Sequence, residues 1–151
     1  VRGEIMSLRL STKTRYGLRA IIDLAKYYGK GPVMARAIAE EEGISENYLE
    51  QIMDPLKKSG LVRSVRGARG GFVLAKPPGN IRVKEVIEAL EGPVLLVDCL
   101  YDPNLCERSK SCIARLFWER LRDNIVDFLN SWTLEDFISK GYSGKNQAVD
   151  F

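Results

Sequence analysis

The stretch from Ser45 to Phe72, SENYLEQIMDPLKKSGLVRSVRGARGGF, decides the fold. It opens with a serine that can cap a helix, after which Leu49, Ile52 and Leu56 recur at helical spacing. Residues 33–39 show the same spacing, and a glycine-containing turn separates the two segments. Two helices joined in this way form a helix-turn-helix unit, whose second helix fits the major groove of DNA.

A β-hairpin is predicted directly after the second helix. Residues 61–66 alternate like a strand, residues 67–71 can turn tightly, and residues 72–74 return as a partner strand. A helix-turn-helix followed by a hairpin is a winged helix. Within the second helix, Pro55 removes a hydrogen bond and disfavours helical geometry at Asp54, which predicts a kink or an early end there.

Further helices flank this unit. A first helix capped by Ser11 is predicted to run to about Tyr28, a short one stops at Gly92, and another runs from Leu134 to about residue 140. Apolar positions recur from 112 to 132 as in a long amphipathic helix. The predicted fold class is mainly α with a small β-hairpin wing. It comprises a winged helix-turn-helix DNA-binding domain (8–80), a cysteine-containing sensor loop with a dimerisation helix (81–140) and a flexible tail (141–151).

Positive charge is concentrated in the chain. Between Pro55 and Lys84 there are eight basic residues and no acidic one, although the net charge is only +3. A second basic cluster without an acid lies between residues 9 and 22. Concentrated basic residues favour phosphates because binding releases condensed counterions. The pattern predicts contact with a nucleic acid; solvation of the hairpin and helix ends is the alternative.

The composition excludes several classes of protein. No apolar run approaches the ~20 residues of a membrane span, and residues 1–6 show no signal-peptide core, which predicts a cytoplasmic protein. The chain has no histidine, which excludes histidine-based catalytic triads and histidine zinc ligands. No nucleophile–base pair, phosphate loop or carboxylate pair stands out, so an enzyme is not expected.

The long helix predicts a homodimer. Its apolar positions include a stripe that we expect at the interface: Ile113, Phe117, Leu121, Ile125 and Phe128. Packing of this stripe within one subunit is the alternative. Helix-turn-helix proteins commonly read two half-sites ~34 Å apart, so a two-fold dimer would match a near-palindromic operator in double-stranded DNA.

Several motifs resemble bacterial winged helix-turn-helix regulators of the iron–sulfur cluster regulator (IscR) and nitric-oxide-sensing repressor (NsrR) type. They are LRLS (8–11), RY (15–16), GIS (43–45) with YLEQ (48–51), SGLV (59–62), VRG (65–67) with GG (70–71), and VKEVI (83–87). The resemblance covers residues 8–137. It implies a homodimeric transcription factor with an N-terminal DNA-binding domain, a long dimerisation helix and, in many members, an iron–sulfur cluster near that helix.

The resemblance also implies DNA contacts. It assigns Asn47, Tyr48, Glu50 and Gln51 to the major-groove face and brings Arg66, with the wing tip, to the minor groove. A glutamine amide can pair with adenine, and a carboxylate can accept a hydrogen bond from cytosine N4. As alternatives, Glu50 is an ordinary surface acid and Tyr48 packs against the preceding helix. The basic residues expected to contact DNA are Lys57, Arg66, Arg69, Arg9 and Lys13.

Three cysteines, Cys99, Cys106 and Cys112, predict an iron–sulfur cluster, because thiolates on one loop can fold around it. The sequence leaves 2Fe–2S and 4Fe–4S open. The gaps are six and five residues, whereas five and five is usual in the family that the chain resembles. Members of that family add a histidine or an N-terminal aspartate, but Arg115 and Arg15 stand there. The fourth ligand is therefore unknown, and the sequence leaves Asp98, Asp102, Glu107, a cytosolic thiol or water.

Other uses of the cysteines remain open: buried structural thiols, a zinc site, or a thiol–disulfide redox switch. The main hypothesis is a homodimeric DNA-binding transcriptional regulator whose operator binding is modulated by an iron–sulfur cluster. The alternatives are a cluster-free regulator that responds to thiol redox state or a metabolite, and a winged-helix scaffold that acts through protein–protein contact.

Overall fold

The computed structural model describes residues 8–140; residues 1–7 and 141–151, which include the predicted tail, lie outside this part. The described chain forms six α-helices and one antiparallel hairpin. Their bounds are α1 Thr12–Lys26, α2 Ala35–Glu42, α3 Glu46–Lys58, β1 Val62–Val65, β2 Gly71–Leu74, α4 Val83–Glu91, α5 Ile113–Ser131 and α6 Leu134–Ser139. Short 3-10 turns occupy Pro78–Asn80, Asp98–Leu100 and Pro103–Leu105. The mainly α class with a hairpin wing is confirmed.

The predicted helix-turn-helix consists of α2 and α3. α2 ends at Glu42, and the next residue, Gly43, has φ +66° and ψ +35°, a left-handed conformation that glycine adopts without strain. Ser45 then caps α3, because its hydroxyl oxygen accepts a hydrogen bond from the Tyr48 backbone N–H at 3.1 Å. These two local signals fix where one helix ends and the next begins.

α3 continues through Pro55 to Lys58, so the predicted early end at this proline is wrong. Pro55 removes only the hydrogen bond to the carbonyl of Gln51, and Gln51 is exposed, so water can replace that bond. Two other interactions stabilise the last turn of α3. Leu56 is fully buried, and Lys58 forms an ion pair with Asp54 at 2.7 Å.

The wing has a fixed base and an exposed tip. β1 and β2 pair over four residues each. Two backbone hydrogen bonds, at 2.8 and 2.9 Å, join Phe72, the second residue of β2, to Val33, just before α2. A side chain at Gly71 would clash with the Val33 carbonyl, which explains the glycine. The tip at residues 66–69 is exposed.

One hydrophobic core joins the hairpin to every helix except α5; we call this unit the head. Its buried members include Ile21, Ile38, Ile52, Phe72, Val86 and Leu134. After α5 the chain returns to the head, where the Leu134 N–H donates a hydrogen bond to the Ile81 carbonyl at 3.1 Å. The core therefore continues across residue 80 and includes the predicted last helix.

α5 lies outside this core. None of its 19 residues is buried. Its C-terminal end is fixed to the head, because the Trp132 carbonyl accepts a hydrogen bond from the Val83 N–H at 2.9 Å. No described helix, α5 included, combines the length and apolarity that crossing a membrane requires.

Leu134→Ala should lower the free energy of unfolding by about 2–5 kcal/mol, because it removes a buried side chain and leaves a cavity. Leu105→Ala is the matched control: this leucine is 64% exposed, and its loss should cost less than about 0.5 kcal/mol. Urea denaturation at one protein concentration measures both. Equal effects would contradict the assignment of α6 to the core.

Candidate nucleic-acid interface

α3 has one buried side and one open side. The apolar side faces the core, with its four residues showing no exposed surface: Leu49, Ile52, Met53 and Leu56. On the other side, the predicted base-contacting residues Asn47, Glu50 and Gln51 are exposed. Tyr48 is half-buried, and its ring meets the Tyr16 ring of α1 edge-on at 6.2 Å. The open side of α3 thus carries donors and acceptors that are free to meet another molecule.

Basic side chains flank this open side. Lys13 of α1 and Lys57 line the same open cleft as Glu50 and Gln51. The Nζ atom of Lys57 lies 4.0 Å from a carboxylate oxygen of Glu50, and its side chain is one-third exposed at 32%. The structure therefore places Lys13 and Lys57, which are far apart in sequence, beside Glu50 and Gln51, two of the residues predicted to contact bases.

The predicted wing residues Arg66 and Arg69 are exposed at the hairpin tip, and Arg9 is exposed just before α1. Neither wing arginine forms an ion pair with another residue between 8 and 140. Their charge is not neutralised locally and can act on an approaching anion.

Glu91 holds the start of α1 in place. Its carboxylate accepts a hydrogen bond from the backbone N–H of Ser11, the residue that caps α1. Hydrogen bonds from Ser11, and a weaker one from Thr14, lower the pKa of Glu91 below its ordinary value. A carboxylate near a helix N-terminus is also favoured by the helix dipole. The segment that carries Arg9 and Lys13 is therefore tied to the end of α4.

α5 presents an apolar surface with no cover in the described chain. Three of the predicted interface residues are largely exposed: Ile113 at 84%, Phe117 at 61% and Phe128 at 64%. Leu121 and Ile125 are half-buried. Leu116, also on this helix, is 62% exposed and extends the surface. Patches of this kind on a small protein mark contact with another molecule.

The cysteines lie in residues 98–112, which we call the cysteine segment. Cys106 is exposed, while Cys99 and Cys112 are half-buried, and all three are free thiols. Cys112 directly precedes α5. Within residues 8–140 no three side chains of the metal-binding kinds are gathered closely enough to hold a metal ion. The donor set suits an iron–sulfur cluster chemically, but the described arrangement does not assemble it.

One charged pair near α3 has no counterpart among the sequence predictions. Arg19 Nε lies 2.7 Å from a carboxylate oxygen of Glu42, and the Glu42 side chain is only 4% exposed. Glu42 follows the buried residues Ile38 and Ala39 by four and three positions. That spacing indicates an inward-facing residue and could have identified it.

Comparison with known proteins gives consistent matches. The Rrf2 family, described as "Iron-dependent Transcriptional regulator", matches residues 10–140. The HTH-type transcriptional regulator CymR of Bacillus subtilis (strain 168) is 43% identical over 132 residues, 87% of this chain and 91% of the relative. IscR of Pectobacterium atrosepticum is 39% identical over 132 residues, 87% of this chain and 80% of the relative.

Solved structures agree. CymR of B. subtilis, described as its global cysteine regulator, has a TM-score of 0.73 at 45% identity and covers 89% of this chain and 98% of its own. IscR of T. potens has a TM-score of 0.74 at 38% identity and covers 96% and 97%.

The fold and its open, basic surface define a winged helix-turn-helix protein of the transcriptional-regulator class. The chain belongs to the Rrf2 family, and like its relatives it is a transcriptional regulator and not an enzyme. The resemblance seen in the sequence motifs is confirmed.

Proposed function

We propose that this chain acts as a cytoplasmic homodimer that binds operator DNA and regulates transcription according to the state of its cysteine segment. The open side of α3 carries the DNA-binding part of this proposal, because polar side chains stand opposite a fully buried face. A recognition helix needs this division, since its apolar side fixes it to the protein while its polar side enters the major groove.

The side chains divide into two kinds of contact. Gln51 suits adenine, and Glu50 suits the amino group of cytosine, with Asn47 and Tyr48 beside them. The basic residues around them would position the duplex through its phosphates, and the wing tip would approach the minor groove. These basic residues are Arg9, Lys13, Lys57, Arg66 and Arg69.

The exposed face of α5 supports the homodimer. Phenylalanine and isoleucine side chains on it are more than half exposed in a single chain, and covering them with a second copy removes their apolar area from water. Two-fold symmetry would present two α3 helices to two half-sites of a near-palindromic operator.

Gln51→Ala and Arg66→Ala should weaken DNA binding differently. Loss of the Gln51 amide should cost about 1–3 kcal/mol on the operator alone. Loss of the Arg66 charge should weaken operator and random duplex alike and reduce the salt slope by about one. Fluorescence anisotropy over a salt series measures both, with an operator selected from random duplexes.

Asn130→Ala, an exposed amide on α5, is the control and should leave affinity unchanged. Equal losses on operator and random DNA for Gln51→Ala would contradict its role in reading bases. Wild-type protein that shows no salt-dependent DNA binding would favour a scaffold that contacts proteins.

For the sensor, we propose that Cys99, Cys106 and Cys112 hold an iron–sulfur cluster of the 2Fe–2S or 4Fe–4S type. Support comes from the donor chemistry, from the shared segment beside α5, and from the similarity to IscR proteins. A bound cluster would supply sensitivity to oxidants and to small molecules that attack iron. The chain's part is to offer three thiolates; the fourth ligand is not a histidine of this chain, which has none.

A cluster-free sensor is the second candidate. The separation of the thiols in the described chain favours it, as does the similarity to CymR, described as a global cysteine regulator. In this case, oxidation of the exposed Cys106 or binding of a thiol metabolite would alter the segment.

Protein purified without oxygen should be brown, and alanine at Cys99, Cys106 or Cys112 should remove most of the visible absorption. Ser111→Ala, in the same segment, should keep it. Iron and acid-labile sulfide are measured in the same samples. Operator affinity should change on cluster loss while circular dichroism stays constant, because no cysteine belongs to the core.

A colourless anaerobic preparation that iron and sulfide fail to reconstitute would defeat the cluster. If thiol oxidants still changed operator affinity in that preparation, the second candidate would take its place.

A further inference from the structure

The ion pair between Arg19 and Glu42 joins an exposed group to a buried one. The side chain of Arg19 is 61% exposed, whereas that of Glu42 is 4% exposed. Glu42 is the last residue of α2, immediately before the turn that leads to α3. The buried Glu42 carboxylate thus holds the exposed Arg19 guanidinium at the protein surface, beside the helix-turn-helix.

Stability alone gives no reason for this arrangement. Burial raises the pKa of Glu42, the Arg19 guanidinium lowers it, and the neighbouring Asp23 carboxyl raises it. The contact oxygen of Glu42 and one oxygen of Asp23 are buried with no aligned hydrogen bond in the described chain. Besides Asp23, the charged groups around Glu42 are Glu41, on the same helix, and Lys26, which pairs with Asp23. Because an apolar residue would avoid these costs, a functional reason is favoured.

Two successive aromatic contacts link the Arg19 guanidinium to the recognition helix. Its central carbon is 5.7 Å from the centre of the Tyr16 ring, and that ring is 6.2 Å from the ring of Tyr48 in the first turn of α3. A helix about 10–12 Å wide nearly fills a major groove about 12 Å wide. A group that flanks α3 at the distance of one aromatic ring, as Arg19 does, is therefore expected near the phosphates at the edge of the groove.

We propose that Arg19 is a further contact to the DNA phosphate backbone and that Glu42 is the positioning residue that holds its guanidinium there. The Glu42 carboxylate lies on the Nε side of the guanidinium. The rest of the Arg19 guanidinium therefore keeps N–H donors that can bind a phosphate. This inference rests on the proposed entry of α3 into the major groove.

Arg19→Ala tests the contact. Affinity for operator and random duplex should fall by the same factor, roughly fivefold to tenfold at 0.1 M salt, and the salt slope should drop by about one. Lys26→Ala is the matched control, since it removes the same charge from an ion pair on the same helix, about 10 Å further along α1. It should leave the slope unchanged.

Glu42→Gln, made in the wild type and in the Arg19→Ala background, tests the positioning role. The variant should weaken DNA binding severalfold in the wild type and have no further effect without Arg19, with circular dichroism confirming the fold. Equal losses in both backgrounds would show that Glu42 only supports the turn and would overturn this role.

The outcomes separate the two proposals. An unchanged salt slope in Arg19→Ala, with wild-type protein that binds DNA, overturns only the Arg19 contact. Wild-type protein that does not bind DNA overturns the proposed function and this inference together.

Discussion

The exclusion of α5 from the core is the constraint on which the rest of the structure depends. The head buries the apolar residues of five helices and the hairpin, yet none of the 19 residues of α5 is buried. α6, which follows α5, is again part of the core. A helix about 28 Å long is therefore fixed to the head at its C-terminal end and exposes an apolar face. A second copy of the chain would cover that face.

The cysteine segment connects the two functional parts of the chain. Residues 92–97 connect it to α4, which is tied to α1 by the Glu91 carboxylate and by the packing of Leu90 against Gly17. A methyl group at Gly17 would come within 2.5 Å of a Leu90 methyl carbon, so any larger residue at position 17 would force the Leu90 side chain to move. The segment ends at Cys112, where α5 begins. In the proposed function, a conformational change at the cysteines would be transmitted through α4 to the start of α1, which contacts DNA. It would also act directly on α5, the dimerisation helix.

Local signals made most of the fold predictable from sequence. Ser11 and Ser45 begin helices through their side-chain hydroxyls and Gly43 ends one through its backbone conformation, so the helix-turn-helix can be located from sequence alone. The predicted early end of α3 at Pro55 is wrong because tertiary packing of the last turn of α3 outweighs one lost hydrogen bond.

Features that depend on distant contacts were harder to predict. The return of α6 to the core, the Tyr16–Tyr48 contact and the Arg19–Glu42 ion pair each join residues from separate elements. The cysteine ligand set is not fixed by periodicity either, because residues 98–112 form short 3-10 turns and loop without a repeating pattern.

Light scattering of the wild-type protein and of Phe117→Glu tests the role of α5 most directly. The wild type should have twice the mass of one chain. The variant should have the mass of one chain and an unchanged circular dichroism spectrum, because Phe117 is 61% exposed in the single chain. Tyr28→Glu, which charges another exposed aromatic residue outside α5, should remain dimeric. A folded Phe117→Glu protein that keeps the double mass, or a monomeric wild type, would show that α5 does not hold two chains together.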